Sequence, residues 1–259
     1  MRFLYLLSLI FVLITFLSSA QTLTNEDVEK KDEFEPYWKI GVNGGTNLSF
    51  ANYSPSVFVG TLFGFHGGGV VQFVAQPNVG IQAELNFTQM GWTENPPADP
   101  GFVSGNGNAF YQKNLTFIEM PLMTHLVFGK KKVNYIFNIG FWGGYLIGES
   151  EITNNPFYEN AINFSYANDH HRKPIDNPVQ VGACVSPAIK YKTKFGEFQL
   201  EVRFVSVFTR NFDNSVEIVR TEIGEEIRRI SFRNAQNQSL NVSFAYLYDV
   251  SRLFKKKKS

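Results

Sequence analysis

Between residues 37 and 250, large apolar side chains recur at every second position. Only an extended strand places such a series on one face. Residues 79–88 show it most clearly. Val79, Ile81, Ala83, Leu85 and Phe87 share one parity, and Gly80, Gln82, Glu84, Asn86 and Thr88 share the other. The same texture marks 38–50, 58–75, 110–128, 135–147, 179–191, 197–208 and the stretch holding Leu240, Val242, Phe244 and Tyr246. This periodicity predicts eight strands. A chain of 259 residues has room for one large domain built this way.

The connections alternate in length. The turns after the second, fourth and sixth strands are short: Gln76-Pro77-Asn78, the basic turn 129–132, and 193–196. The connections after the third, fifth and seventh are long and polar, covering 93–109, 149–178 and 210–235. Soluble domains seldom carry three structureless loops of that size. Membrane barrels do, with short turns on the periplasmic side and long loops outside. An even strand number brings both chain ends to the same side.

Residues 1–20 read MRFLYLLSLIFVLITFLSSA, with Arg2 before an apolar run and a small-x-small ending at Ser18 and Ala20. This is the pattern of an export signal, with cleavage expected before Gln21. The run is shorter than the roughly 18–20 residues of a spanning helix, and no Cys follows the site to carry a lipid anchor. Residues 21–36 are expected to be a flexible lead-in, 37–250 the barrel, and 251–259 a basic tail. No later apolar run reaches membrane-helix length. Any membrane crossing must therefore be made by a closed barrel, which satisfies its own backbone hydrogen bonds.

Alternation alone does not say which face is wet. Composition helps to decide. Charged residues are 18% of the chain, against roughly 25% in soluble domains. The apolar parity is heavy in Phe and Tyr, and the polar parity is mostly Gly, Asn, Gln, Ser and Thr rather than dense Lys and Glu. Both features fit an apolar face toward lipid and a polar face turned into a narrow interior. Glu84, Glu119, His125, Glu201 and Arg203 fall on the interior parity. Buried charges must be paired, so a carboxylate network around Arg203 is expected. A net charge of +1 gives no reason for a nucleic-acid partner, and the single Cys184 excludes a disulfide framework.

Four segments carry a family resemblance: GVNGGTNLS (41–49), VGIQAELNFTQMGW (79–92), YQKNLTFIEMPLMTHLVFG (111–129) and FNIGFWGGYLIG (137–148). They resemble the PorT-like outer-membrane β-barrel proteins of Bacteroidetes, over about residues 38–250. The fourth strand's core stands here as Leu115, Ile118, Glu119, Pro121 and Leu122, and the signal ending Ser18-Ser19-Ala20-Gln21 is also similar. The resemblance implies an eight-stranded antiparallel transmembrane barrel in a Gram-negative outer membrane. It also implies lipid around the barrel and contacts with other envelope or secretion proteins. The family takes its name from a component of the type IX secretion machinery. The C-terminus departs from the usual aromatic ending, since Tyr246 and Tyr248 are followed by a basic tail.

No residue pattern demands chemistry. Asp169-His170-His171 lacks the spaced third or fourth ligand of a metal site, and no metal or cofactor is expected. His66 and His125 read as interior hydrogen-bonding groups, and Cys184 as an inert small residue. No nucleophile motif stands out, and Gly182-Ala183-Cys184-Val185 is not a nucleophile elbow. Asn86-Phe87-Thr88 reads as strand alternation rather than a glycosylation site. The mixed-charge segment 222–233 fits a solvated loop, a hairpin extension or a partner contact; Lys255–Lys258 fits a solubilising end or a headgroup contact. The expectation is a non-enzymatic scaffold or interaction protein. A secretion-complex component, a narrow small-solute channel and a lipid-modifying enzyme stay open as alternatives.

Overall fold

An extended strand carries unpaired backbone groups along both edges, and in hydrocarbon each of them must find a partner. The computed structural model meets this condition by closing the sheet on itself. It describes residues 34–54, 59–94, 111–129, 132–153, 174–212, 215–221, 224–230 and 234–251. The strands are β1 Tyr37–Ser54, β2 Gly60–Gln76, β3 Val79–Glu94, β4 Tyr111–Glu119, β5 Leu122–Phe128, β6 Val133–Thr153, β7 Val179–Lys192, β8 Glu197–Val207, β9 Ser215–Thr221, β10 Gly224–Ile230 and β11 Asn234–Asp249. Neighbours along the chain pair antiparallel, and β11 returns to β1 from Lys39↔Asp249 through to Ser54↔Asn234.

The ring has eight staves. β4 and β5 are one stave interrupted at Met120–Pro121, because proline has no N–H to give the ladder. Register carries straight across the gap: Glu119 faces Gly144 and Leu122 faces Phe141 on β6. The flanking backbone bonds persist too, with Met120 N–H donating to Gly143 O at 2.7 Å and Glu84 N–H to Pro121 O at 3.1 Å. The remaining pair, β9 and β10, forms a separate hairpin from Ser215↔Ile230 to Thr221↔Gly224.

This revises the sequence reading of the connections. The segment 210–235 contains strand structure, and β3, β6 and β11 run into the segments read as loops. The reason is physical. Apolar alternation persists only where one face meets lipid. Beyond the bilayer the outward face no longer needs to be apolar, so the ladder continues while the pattern fades. The export signal, the lead-in through residue 33, Asp169-His170-His171, and the tail from residue 252 lie outside the described residues.

Exposure inverts the order of a soluble protein. Phe141 is 75% exposed, Tyr135 64% and Trp38 54%, whereas Glu119 and Asn138 are at 0%. A continuous apolar surface of this kind suits lipid rather than water. Tight curvature also places backbone over the inner face. At Gly140 an ideal Cβ would stand 2.0 Å from Leu122 O and 2.6 Å from Met123 Cα, while at outward Gly69 the nearest atom is 4.0 Å away. Gly140→Ala is expected to destabilise the barrel by about 1–3 kcal/mol through backbone displacement. Gly69→Ala should stay within about 0.5 kcal/mol of the parent. Denaturant midpoints of the refolded barrel, read by heat-modifiable gel migration, check the contrast.

Candidate functional site

Among the described residues, buried polar chemistry concentrates in the barrel interior, and it is layered. At mid-depth, Arg203 on β8 reaches across the barrel to Glu84 on β3, with Nη1 3.0 Å from Glu84 Oε2 and Nη2 2.5 Å from Glu84 Oε1. Its Nε donates to Glu201 Oε1 at 2.6 Å. Glu84 also accepts from Asn43 Nδ2 at 2.8 Å, Gln82 Nε2 at 2.6 Å and Asn86 Nδ2 at 2.9 Å. Glu201 accepts from Asn138 Nδ2 at 3.0 Å and Gln199 Nε2 at 2.9 Å. Glu119, at the end of β4, accepts from Trp142 Nε1 at 2.7 Å and Asn86 Nδ2 at 3.2 Å. The two oxygens of each carboxylate are thus occupied, as burial of a charge requires.

His125 joins this layer through Asn138. Asn138 Nδ2 is committed to Glu201, so its Oδ1 must accept, and His125 Nδ1 lies 2.8 Å away as the donor. Gln72 Nε2 donates to Gln82 Oε1 at 2.6 Å. His66 Nε2 lies 2.6 Å from Ser243 Oγ, but both residues are enclosed, at 6% and 4% exposure. That contact ties β2 to β11 and is not an accessible nucleophile. The five residues placed on the interior parity, Glu84, Glu119, His125, Glu201 and Arg203, therefore stand in one hydrogen-bonded layer around Arg203. Cys184 is buried, with Sγ 3.8 Å from Phe141 O.

Toward the long connections the interior changes character. Trp92, Trp142, Phe117, Leu115, Met90 and Phe212 pack into a buried apolar cluster. Phe117 meets Trp142 edge-on at 6.1 Å, and Tyr53 meets Trp92 at 5.8 Å. The sequence reading of a polar inner face is corrected here. A wholly polar filling would need a partner for every group, and packed rings fill the same volume without that demand. Phe212 arrives from the chain just past β8, which is held by a ring of amides. Gln180 donates to Asn211 at 2.9 Å, Asn211 to Asn237 at 3.0 Å, and Asn237 back to Gln180 at 3.0 Å. Above the plug, Lys113 contacts Glu151 at 2.8 Å and Glu149 at 3.5 Å, and its Nζ lies 6.0 Å from the Phe212 ring centroid.

At the short-turn end, Lys39 and Lys190, both 2% exposed, share one carboxylate oxygen of Glu197 at 2.6 and 3.4 Å. These lysines and Lys113 are buried, ion-paired interior residues that the sequence reading passed over. The signal was present, since Lys39 and Lys190 sit on the polar parity of their strands. Likewise Leu115 and Phe117 sit on the same parity as Glu119, which marked the plug. Among the described residues no group of three metal-ligating side chains converges.

Arg203→Met is expected to cost about 3–5 kcal/mol, because it leaves Glu84 and Glu201 buried without their counter-charge. The double variant Arg203→Met/Glu84→Met should recover a measurable part of that loss. Equilibrium unfolding in lipid vesicles, followed by Trp fluorescence, gives both values; a single variant as stable as the parent contradicts the assignment.

The family model described as "Outer membrane protein beta-barrel domain" matches residues 20–213. No curated protein matches the chain. Among solved structures, OprG of Pseudomonas aeruginosa is 8% identical, with 83% of this chain and 97% of that chain covered and a TM-score of 0.43. Neisserial surface protein A is 8% identical, with 82% and 99% covered and a TM-score of 0.39. Ail, the attachment invasion locus protein of Yersinia pestis, is 6% identical, with 82% and 99% covered and a TM-score of 0.36. The family match covers most of the chain, the exposed belt is apolar, and the sheet closes without an edge: the chain belongs to the outer-membrane β-barrel domain family, and its place is the outer membrane.

Proposed function

We propose that this protein is a non-enzymatic scaffold of the outer membrane, which engages other envelope proteins through its long connections. The observation that carries this reading is the filling of the interior. The Arg203 layer occupies mid-depth and the Trp92–Trp142–Phe117 cluster occupies the level above it. An eight-stranded barrel filled by side chains is a frame rather than a pore. Contacts then fall to the loops, where variable recognition is carried over a rigid support. The short turns face the periplasm and the β9–β10 hairpin faces the exterior in this reading. Residues 1–20 act as a cleaved export signal.

The PorT-like resemblance of 41–49, 79–92, 111–129 and 137–148 supports a narrower second reading, membership of a type IX secretion complex. Specific co-purification with secretion components from envelope extracts distinguishes it from a general scaffold. A conducting channel is disfavoured by the packed interior, and no described cluster presents an accessible nucleophile with its base, which disfavours a lipid-modifying enzyme.

Two measurements test the proposal. In planar bilayers the purified barrel should show no stable unitary conductance, and Trp142→Ala combined with Trp92→Ala should introduce transient openings. Steady conductance of the parent protein overturns the scaffold reading in favour of the channel. On a Cys184→Ser background, single cysteines within 215–221 should label on intact cells, and those at 193–196 should not. The reverse pattern overturns the orientation. Photocrosslinkers placed in 215–221 should give discrete adducts with envelope proteins.

A further inference from the structure

Three inward positions at the short-turn end form a row across adjacent staves. Asn134 on β6 faces Lys190 on β7, and Lys190 faces Gln199 on β8. Partners in such a register stand about 5 Å apart, so their inward side chains share one small volume. All three are buried, at 0%, 2% and 1% exposure. Both amide atoms of Asn134 and the Oε1 of Gln199 lack a hydrogen-bond partner. Lys190 has only the long 3.4 Å contact to Glu197 Oε2, an oxygen that Lys39 already holds at 2.6 Å. Among the described ion pairs, two ammonium groups therefore share a single carboxylate. The backbone beside the row is close-packed, and a glycine makes room for the Asn134 amide. Gly129, with φ of 107°, has no Cβ, and one built there would stand 3.1 Å from Asn134 Nδ2.

We propose that this row is a binding site for a phosphate group, entered from the short-turn mouth of the barrel. The argument is one of donor and acceptor matching. A buried polar atom left unpaired is costly, and the row offers two kinds at once. Lys190 Nζ and Asn134 Nδ2 are donors that call for an anion's oxygens, and two lysines on one carboxylate leave one positive charge in excess. Asn134 Oδ1 and Gln199 Oε1 are acceptors that call for an O–H. Hydrogen phosphate carries both, whereas sulfate at neutral pH carries acceptors only. Lys39 holds the Glu197 oxygen at 2.6 Å and Lys190 reaches it only at 3.4 Å, so Lys190 is the less tightly held of the two. The phosphate comes either free from solution, where its own O–H serves the acceptors, or from a phosphatidylglycerol headgroup in the leaflet nearest this mouth, whose phosphodiester supplies the anionic oxygens and whose glycerol hydroxyls supply the O–H.

The test uses the full mature chain in a non-ionic maltoside detergent, with inorganic phosphate titrated by calorimetry and by phosphorus NMR. Saturable binding is expected, with sulfate weaker. Lys190→Met should weaken binding about tenfold or more. Asn134→Leu, which keeps every charge in place, should weaken it several-fold. Lys113→Met, at the far end of the barrel, should leave it unchanged. Heat-modifiable migration verifies that each variant is folded, and Asn134→Leu decides the matter where Lys190→Met fails to fold. In a parallel arm, native mass spectrometry of barrel extracted from phosphatidylglycerol vesicles reports retained lipid. Retention by the parent and its loss in Asn134→Leu, without binding of free phosphate, assigns the site to the headgroup. The proposal is overturned if neither phosphate nor lipid binds, or if both variants bind like the parent.

Discussion

Hydrocarbon offers a backbone no hydrogen-bond partner, and the architecture follows from that fact. A strand in lipid must be flanked on both sides, so the last stave has to find the first. β11 meets β1 along its full length, from Lys39↔Asp249 to Ser54↔Asn234. Once the ladder is closed, each residue has only two directions left. Those pointing outward meet acyl chains and are apolar. Those pointing inward meet each other within a cross-section that eight staves make small. The glycines opposite close backbone, the break at Pro121 with its register kept, and the packed interior are all consequences of that narrowness.

The interior then faces a choice between two ways of filling space. Packed rings cost nothing in lost hydration but give no charge chemistry. Charged groups cost desolvation and repay it only when every lone pair is occupied. This protein uses both, at different depths. The Arg203 layer satisfies Glu84 and Glu201 on both oxygens through the guanidinium itself and amide donors drawn from β1, β3, β6 and β8. The Trp92–Trp142 cluster lies beyond it, and Glu119 links the two by accepting from the Trp142 indole. That hydrogen bond joins the charge network to the apolar plug.

Much of this was legible in the residues. The parity of 79–88 places Glu84 inside and Leu85 outside without further information, and Arg203 on the inner parity of β8 made a carboxylate partner necessary. What parity does not reveal is which strand a side chain reaches. Nothing near Arg203 in the chain points to Glu84, 119 positions away, because that contact spans the barrel's width. The plug was hidden for a different reason. Leu115 and Phe117 share a parity with Glu119, and the assumption that one parity is polar throughout masked the switch along its length. The β9–β10 hairpin stayed one alternative among three, because the mixed charges of 222–233 fit a solvated loop or a partner contact as well as a hairpin extension. Lys39 and Lys190 were overlooked because a lysine near a strand end reads as exposed until three-dimensional register brings Glu197 between them.

The seam between β1 and β11 also bears on how the barrel is made. Its partners are among the first and last residues of the domain, so the ring gains its final ladder only when both ends of the barrel sequence are present. Contacts of such large sequence separation are slow to form, since the loop-closure entropy is spent before any reward arrives. Until then, eight alternating segments with one greasy face each travel through water as aggregation-prone ribbons. The seam that removes the last sheet edge is therefore also the step that ends the chain's exposure to aggregation.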